Sequence, residues 1–205
     1  KPKTMSVYHK WRTVFVQITK NASSAIHEAL RNPSDQAHDH SLYIDILAQN
    51  DPELVESYYS FAVVRNLYDR FVSAWEYLRN YSENRWTLSF EETVQMFYKR
   101  GRFFYTSEDL VWWPQARFIS IKKIILVDKV IRYENLDNEW PEVIEEIMKR
   151  VPEGFSRPKD YLEHVNPDGV TGRNKRPWQD YYTPELKQMV YELYRRDFDL
   201  FNYPK

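Results

Sequence analysis

A mixed α/β fold with a mostly parallel sheet, in one domain over residues 1–205, is what the sequence predicts. Three observations lead there. β-rich apolar runs alternate along the chain with stretches of helical periodicity. The first run, TVFVQI at 13–18, is apolar almost continuously, as a strand covered on both faces must be. With 42% hydrophobic residues over 205 positions, the chain suits one sizeable core, and no internal repeat or low-complexity linker divides it.

The elements follow in order. A helix after the first strand starts near Ser23 or Ser24 and carries Ile26, Ala29 and Leu30 on one face. The polar stretch NPSDQAHDHS at 32–41 reads as turn. FAVV at 61–64 is a second buried strand, and Leu67, Phe71, Ala74, Trp75 and Leu78 after it form the stripe of an amphipathic helix. SFEE at 89–92 is a capping box that opens a helix to about Arg100. KIILV at 123–127 is expected to be a third strand and VIRYENL at 130–136 a short fourth. A helix is expected over 141–151, beginning with a tolerated proline. Residues 152–182 read as a long functional loop. Thr183 as N-cap and Pro184 at the first helical position then start a helix to about Arg196.

Composition narrows the function. A net charge of −1 gives no footing for a nucleic-acid or anionic-membrane partner, so any anion site must be local. The absence of cysteine excludes disulfides, thiolate metal sites and a thiol nucleophile. Aromatics make up 17% of the chain, with 16 Tyr and 7 Trp, so some rings must line a cleft or the surface. No apolar run approaches the roughly 20 residues that span a bilayer. The N-terminal KPKTMSVYHKWRT lacks a signal peptide's apolar segment, and the expectation is a soluble, cytoplasmic protein.

Ligands of parallel α/β sheets collect at the carboxyl ends of strands. Two such ends are followed at once by anion-binding residue types. The first, TKNASS, delivers Lys20 to a turn of small residues, Asn21, Ala22, Ser23 and Ser24, at the start of a helix whose free N–H groups favour an anion. It is a poor Walker A loop, because the lysine precedes the small residues and no glycine is present. No strand ends in an obvious magnesium-binding aspartate except at Asp128, which more simply opens a turn. The second end offers Arg65, a planar fork for phosphate, and Ser73 two helical turns on. A plain capped helix with a solvated lysine competes for the first stretch. Pairing of Arg65 and Arg70 with Asp69 and surface carboxylates competes for the second.

FVQITKNASSAI resembles the 5′-phosphosulfate loop of the sulfotransferase superfamily, in the carbohydrate-type branch whose usual form is FvHIPKtgGTS. FAVVRNLYDRFVSAW resembles that branch's 3′-phosphate motif, usually FvRnPyDRlvSaY. IRYENL and the closing YYTPELKQMVYELYRRDFDLFNYP resemble later family segments. The likeness implies a P-loop-NTPase-like sheet flanked by helices and the donor 3′-phosphoadenosine 5′-phosphosulfate (PAPS), with no metal. It assigns Lys20, Asn21, Ala22, Ser23 and Ser24 to the phosphosulfate, and Arg65 with Ser73 to the 3′-phosphate. GRNKRPWQDYY at 172–182 matches in position the loop over the nucleotide, so Arg173, Lys175 and Arg176 are expected at the 3′-phosphate and Trp178 near the adenine or acceptor. Gln17 stands where the family has His, Thr19 and Leu67 where it has Pro, and Ala22-Ser23 where Gly is common.

Sulfuryl transfer needs charge stabilisation, for which Lys20 is placed, and a base for the acceptor hydroxyl. Of five histidines, His38 and His40 form an H-x-H that resembles a pair in some uronosyl sulfotransferases. His40 is the expected base and His38 its support, with Glu28, Glu76 and Asp69 as alternatives. FFYTSEDLVWWPQARF at 103–118 mixes rings with polar groups, and Trp113, Gln115 and Arg117 are the expected acceptor contacts, favouring a carbohydrate hydroxyl. Core packing is the competing explanation of those rings. A nucleotide kinase on a degenerate P-loop and a non-catalytic module for nucleotides or sulfated glycans are the other classes open.

Overall fold

A computed structural model of the chain describes residues 6–30, 39–81, 86–101, 107–162 and 176–205. The fold is mixed α/β, with a central sheet of mostly parallel strands flanked by helices. Residue contacts divide it into two compact units, Lys1–Val64 with Arg117–Val165, and Arg65–Ala116 with Asn166–Lys205.

The first unit holds the sheet. Strand β1 (Val7–Tyr8) lies antiparallel at the edge of β2 (Thr13–Val16), β2 runs parallel to β3 (Tyr59–Val64), and β3 runs parallel to β6 (Lys129–Arg132). Every residue of β2 and β3 is buried, which explains the unbroken apolar runs. Between them come α1 (Ser23–Leu30), α2 (Tyr43–Gln49) and α3 (Pro52–Glu56). Helix α7 (Leu136–Met148) buries Leu136, Trp140, Val143, Ile144 and Ile147, a 3.6-residue stripe, in one cluster with Phe15, Phe61 and Ile131 of the strands. It starts five residues before the expected Pro141, which the helix accommodates in its interior.

KIILV does not extend the central sheet. Ser120–Ile121 (β4) and Ile124–Ile125 (β5) form a separate two-stranded hairpin, reversed at Lys122 with φ of 54°. Ile121, Ile124 and Ile125 are exposed there, so the apolar run reflects no buried strand. The fourth expected strand forms as β6, but it ends at Arg132 and gives way to a 3₁₀ turn, Tyr133–Asn135. Asp128 accepts from Ser60 N (2.7 Å) and Ser60 Oγ (2.8 Å), at the amino end of β3. That is the end of the sheet away from the turn after β2.

The second unit is helical and aromatic. Helix α4 (Leu67–Tyr81) follows β3, and α5 (Phe90–Arg100) opens with the expected capping box, Ser89 N to Glu92 Oε2 at 2.8 Å and Glu92 N to Ser89 Oγ at 3.2 Å. Helix α6 (Gln115–Ile119) begins in this unit. Thr183 caps α8 (Pro184–Leu193) as expected, but the helix ends at Leu193 and α9 (Arg195–Phe201) restarts beyond Tyr194. Phe71 packs on Phe90, Phe97, Trp112 and Tyr194 with centroids 4.8–6.3 Å apart. Much of the aromatic excess is therefore core.

Candidate functional site

In the first unit, the turn after β2 carries two left-handed residues, Lys20 with φ of 65° and Ala22 with φ of 58°, while Asn21 between them is not left-handed. A residue with a Cβ pays about 1–2 kcal/mol for that conformation. Alternating hand along the backbone turns successive N–H groups toward one side, the kind of concavity that holds an anion. The turn is held in place by Asn21, buried to 1% exposure, whose Nδ2 donates to the Val63 carbonyl at 2.8 Å. The carboxyl ends of β2 and β3 are thereby stitched together by a side chain.

Ala22 provides the first helical acceptor of α1, receiving Ile26 N at 3.1 Å. The N–H groups of Ser23, Ser24 and Ala25 accordingly have no acceptor within the helix. Ser23 is buried and Ser24 half-buried, with hydroxyls at this positive helix end, and Lys20 is half-buried beside them in sequence. The arrangement suits a tetrahedral oxyanion approached by backbone.

His40 is half-buried, and its Nδ1 lies 2.7 Å from the Gln17 carbonyl. A carbonyl only accepts, so Nδ1 carries the proton and the neutral ring has its lone pair on Nε2. Gln17 is itself fixed, buried with Nε2 donating to Tyr8 Oη at 3.2 Å, and Tyr8 Oη is 2.7 Å from Nδ1 of the buried His27. Asp39, next to His40, accepts from Ser41 N and Oγ at 3.0 and 2.5 Å. His38 lies outside the described residues, as do Arg173 and Lys175.

In the second unit, Arg65 is 5% exposed and its Nε donates to Asp69 Oδ2 at 2.6 Å. This bond fixes the guanidinium plane. Asn66 caps α4, accepting from Tyr68 N (3.0 Å) and Asp69 N (3.4 Å). Asp69, Ser73 and Glu76 recur at i, i+4 and i+7 and so share one face of α4. Glu76 accepts from Tyr181 Oη at 2.5 Å. Trp178 stacks on Tyr68 (5.4 Å, 16°), and Tyr182 Oη donates to the Tyr68 carbonyl at 3.0 Å. The return of the basic stretch is thus pinned to α4. Arg176 is exposed over the Tyr181 ring, donating to the Asp180 carbonyl.

Two of the three expected acceptor contacts are buried. Gln115 is completely buried, with Oε1 accepting from Arg65 N and Nε2 donating to Arg65 O, both at 2.9 Å. Its polar ends are spent on Arg65. Trp113 is buried as well, its carbonyl accepting from Arg70 Nη1 at 2.9 Å, and only Arg117 is exposed. Sequence reasoning missed Asp197, which is fully buried and accepts from Gln115 N (2.6 Å) and Ala116 N (3.0 Å). Burial raises its pKa to about 6 against the lowering effect of those bonds and of Arg70 and Arg196. Of the alternative bases, Glu28 is exposed, while Glu76 and Asp69 are engaged by Tyr181 and Arg65.

Among the described residues, no group of three or more His, Cys, Asp or Glu is arranged to hold a metal ion, and no helix is long and apolar enough to cross a membrane. A family model described as Sulfotransferase family matches residues 2–204. The chain matches no curated protein and no solved structure. With nearly its whole length matched, the chain belongs to the sulfotransferase family, whose general activity is sulfuryl transfer.

Proposed function

We propose that this protein transfers a sulfuryl group from PAPS to a hydroxyl of an acceptor, a carbohydrate. PAPS supplies the activated sulfuryl group, and everything else asked of the site is binding, charge stabilisation and proton removal. The observation that carries the reading is the turn after β2. Two left-handed residues, a helix start with three N–H groups lacking helical acceptors, two serine hydroxyls and Lys20 converge within residues 20–25. Such a turn binds the 5′-phosphosulfate, and Asn21 and Ala22 contribute backbone to it. Lys20 stabilises the charge that grows on the oxygen between phosphorus and sulfur.

Arg65 and Ser73 bind the 3′-phosphate, joined by Arg173, Lys175 and Arg176 of the basic stretch. Support comes from the Asp69 bond that orients Arg65 and from the α4 face shared by Asp69 and Ser73. His40 removes the proton of the acceptor hydroxyl through Nε2, in the tautomer its bond to Gln17 selects. His38 supports it. Arg117, exposed, remains a contact for an acidic sugar, whereas Gln115 and Trp113 are not assigned to the acceptor. No metal is needed in this scheme.

The test is transfer of radiolabelled sulfate from PAPS to a panel of glycans, phenols and alcohols, with EDTA present. Label on a glycan hydroxyl is the expected result. Binding of PAPS without transfer to any acceptor would favour the binding-module reading. Magnesium-dependent phosphate transfer from a nucleoside triphosphate would favour a kinase.

A further inference from the structure

Arg65 is the first residue beyond β3, and the parallel register with β6 ends at Val64 opposite Arg132. Its backbone N–H and C=O are buried with the residue, where an unpaired polar group is costly. The Gln115 carboxamide supplies one acceptor and one donor side by side, as a peptide group would, and both bonds are 2.9 Å long. A side chain thus takes the place of a neighbouring strand for one residue. Gln115 is in turn the first residue of α6, whose opening N–H groups are held by Asp197 at 2.6 and 3.0 Å. From Asp197 to Gln115 to Arg65 to Asp69, each link is a hydrogen bond between groups that are at most 8% exposed.

We propose that Gln115 and Asp197 are positioning residues for 3′-phosphate recognition: Asp197 fixes the start of α6, and Gln115 clamps the Arg65 backbone so that the guanidinium is presented in one place. The inference rests on the assignment of Arg65 to the 3′-phosphate. A fork that grips phosphate through two parallel bonds tolerates little rotation, so a backbone clamp at Arg65 acts on selectivity directly. Asp69 holds the side chain of Arg65, whereas Gln115 holds its backbone.

Two substitutions break the chain at different links without removing volume. Gln115→Glu keeps an acceptor for Arg65 N but sets a lone pair against the Arg65 carbonyl. Asp197→Asn offers one oxygen where two N–H groups are bound, and turns an NH₂ group on the other. The measurement is the dissociation constant of adenosine 3′,5′-bisphosphate and of adenosine 5′-phosphate, by titration calorimetry on the full chain, for each form. The wild type should favour the bisphosphate by about 10-fold or more, the scale of a charge-assisted hydrogen bond. In Gln115→Glu the ratio should fall to within about 3-fold of one, and in Asp197→Asn part of the way, while adenosine 5′-phosphate binds within about 2-fold of wild type.

Steady-state rates give a second readout. KM for PAPS should rise with kcat nearly kept, because the 3′-phosphate lies far from the reacting bond and is bound equally throughout. A residue that only held the fold together would lower binding of both nucleotides alike. Should Gln115→Glu not fold, Gln115→Met removes both bonds at similar volume and carries the same expectation. Any folded variant of Gln115 that retains the wild-type ratio overturns the inference. A wild-type ratio near one overturns the assignment of Arg65 to the 3′-phosphate, and this inference with it.

Discussion

The turn after β2 is made of backbone, whereas the turn after β3 is made of side chains. Residues 20–22 take two left-handed conformations without a glycine, and the buried bond from Asn21 to Val63 ties them to β3. Arg65 and the α4 start instead depend on Gln115, Asp197, Asp69 and Asn66, four side chains in four hydrogen-bonded roles. The difference matches what each would bind. A reacting phosphosulfate changes its charge distribution, and backbone N–H groups with a lysine can follow it from a fixed frame. A 3′-phosphate takes no part in the chemistry, so a rigid arginine fork is enough. The comparison predicts that changes at the first turn act on rate and changes at the second on affinity.

The largest expected effect is at His40, tied to β2 through Gln17. His40→Ala should lower turnover by roughly 10²–10⁴-fold, the usual scale for a general acid–base group. The rising limb of the pH–rate profile should vanish with it, since a base works only when unprotonated. His40→Asn should be nearly as damaging. Activity retained in both variants would move the role to a carboxylate.

Lys20 comes next. Lys20→Gly is a sharper change than Lys20→Ala, because glycine takes a φ of 65° without a Cβ penalty and leaves the backbone turn intact. Turnover should fall by about 10²-fold or more, the loss expected when one stabiliser of developing charge is removed. A variant that keeps turnover would return Lys20 to the solvated-loop reading.

Asp197 gives a stability effect with a definite sign. Its folded pKa of about 6 lies above the ordinary aspartate value, chiefly because burial disfavours the charge. The folded state therefore holds the proton more tightly than the unfolded chain. The resulting stabilisation is complete below about pH 4 and lost as pH rises through about 6, a change of order 2–3 kcal/mol. In urea unfolding at pH 4 and pH 7, wild type should lose more stability than Asp197→Asn by about that amount. Parallel behaviour of the two proteins would mean that Asp197 titrates normally.

The smallest effect tests the backbone half of the comparison. Ala22→Gly relieves the left-handed alanine and should raise stability by up to about 1 kcal/mol, offset in part by the freedom glycine has when unfolded. Ala22→Val should destabilise by more, since a β-branched residue at φ of 58° is strongly disfavoured. Thermal melts read both. A stabilising valine would contradict the strained-turn description.

The first turn was legible because its strand, small residues and helix start are close in sequence and show in local pattern, although the Val63 carbonyl that holds Asn21 lies 42 positions away. Its strain was not, since no glycine marks Lys20 or Ala22. Arg65 and Ser73 stand out by the same kind of local pattern, whereas Gln115 and Asp197 stand 50 and 132 positions from Arg65, and only the fold joins them to it. A lone glutamine among rings looked like a sugar contact, although its neighbours were core. KIILV shows the opposite failure. Four apolar residues in a row, Ile124 to Val127, fit a central strand equally well, and the reversal at Lys122 that exposes Ile124 has no glycine or proline to announce it.

The central claim is that the first turn serves the reacting end of the donor and the second its 3′-phosphate. Lys20→Gly and Arg65→Ala, compared for turnover and for the ratio of affinities for adenosine 3′,5′-bisphosphate and adenosine 5′-phosphate, test it most directly. Lys20→Gly should keep the wild-type ratio while turnover falls by about 10²-fold, and Arg65→Ala should bring the ratio from about 10 or more down toward one. A ratio that collapses in Lys20→Gly and survives in Arg65→Ala would contradict the account.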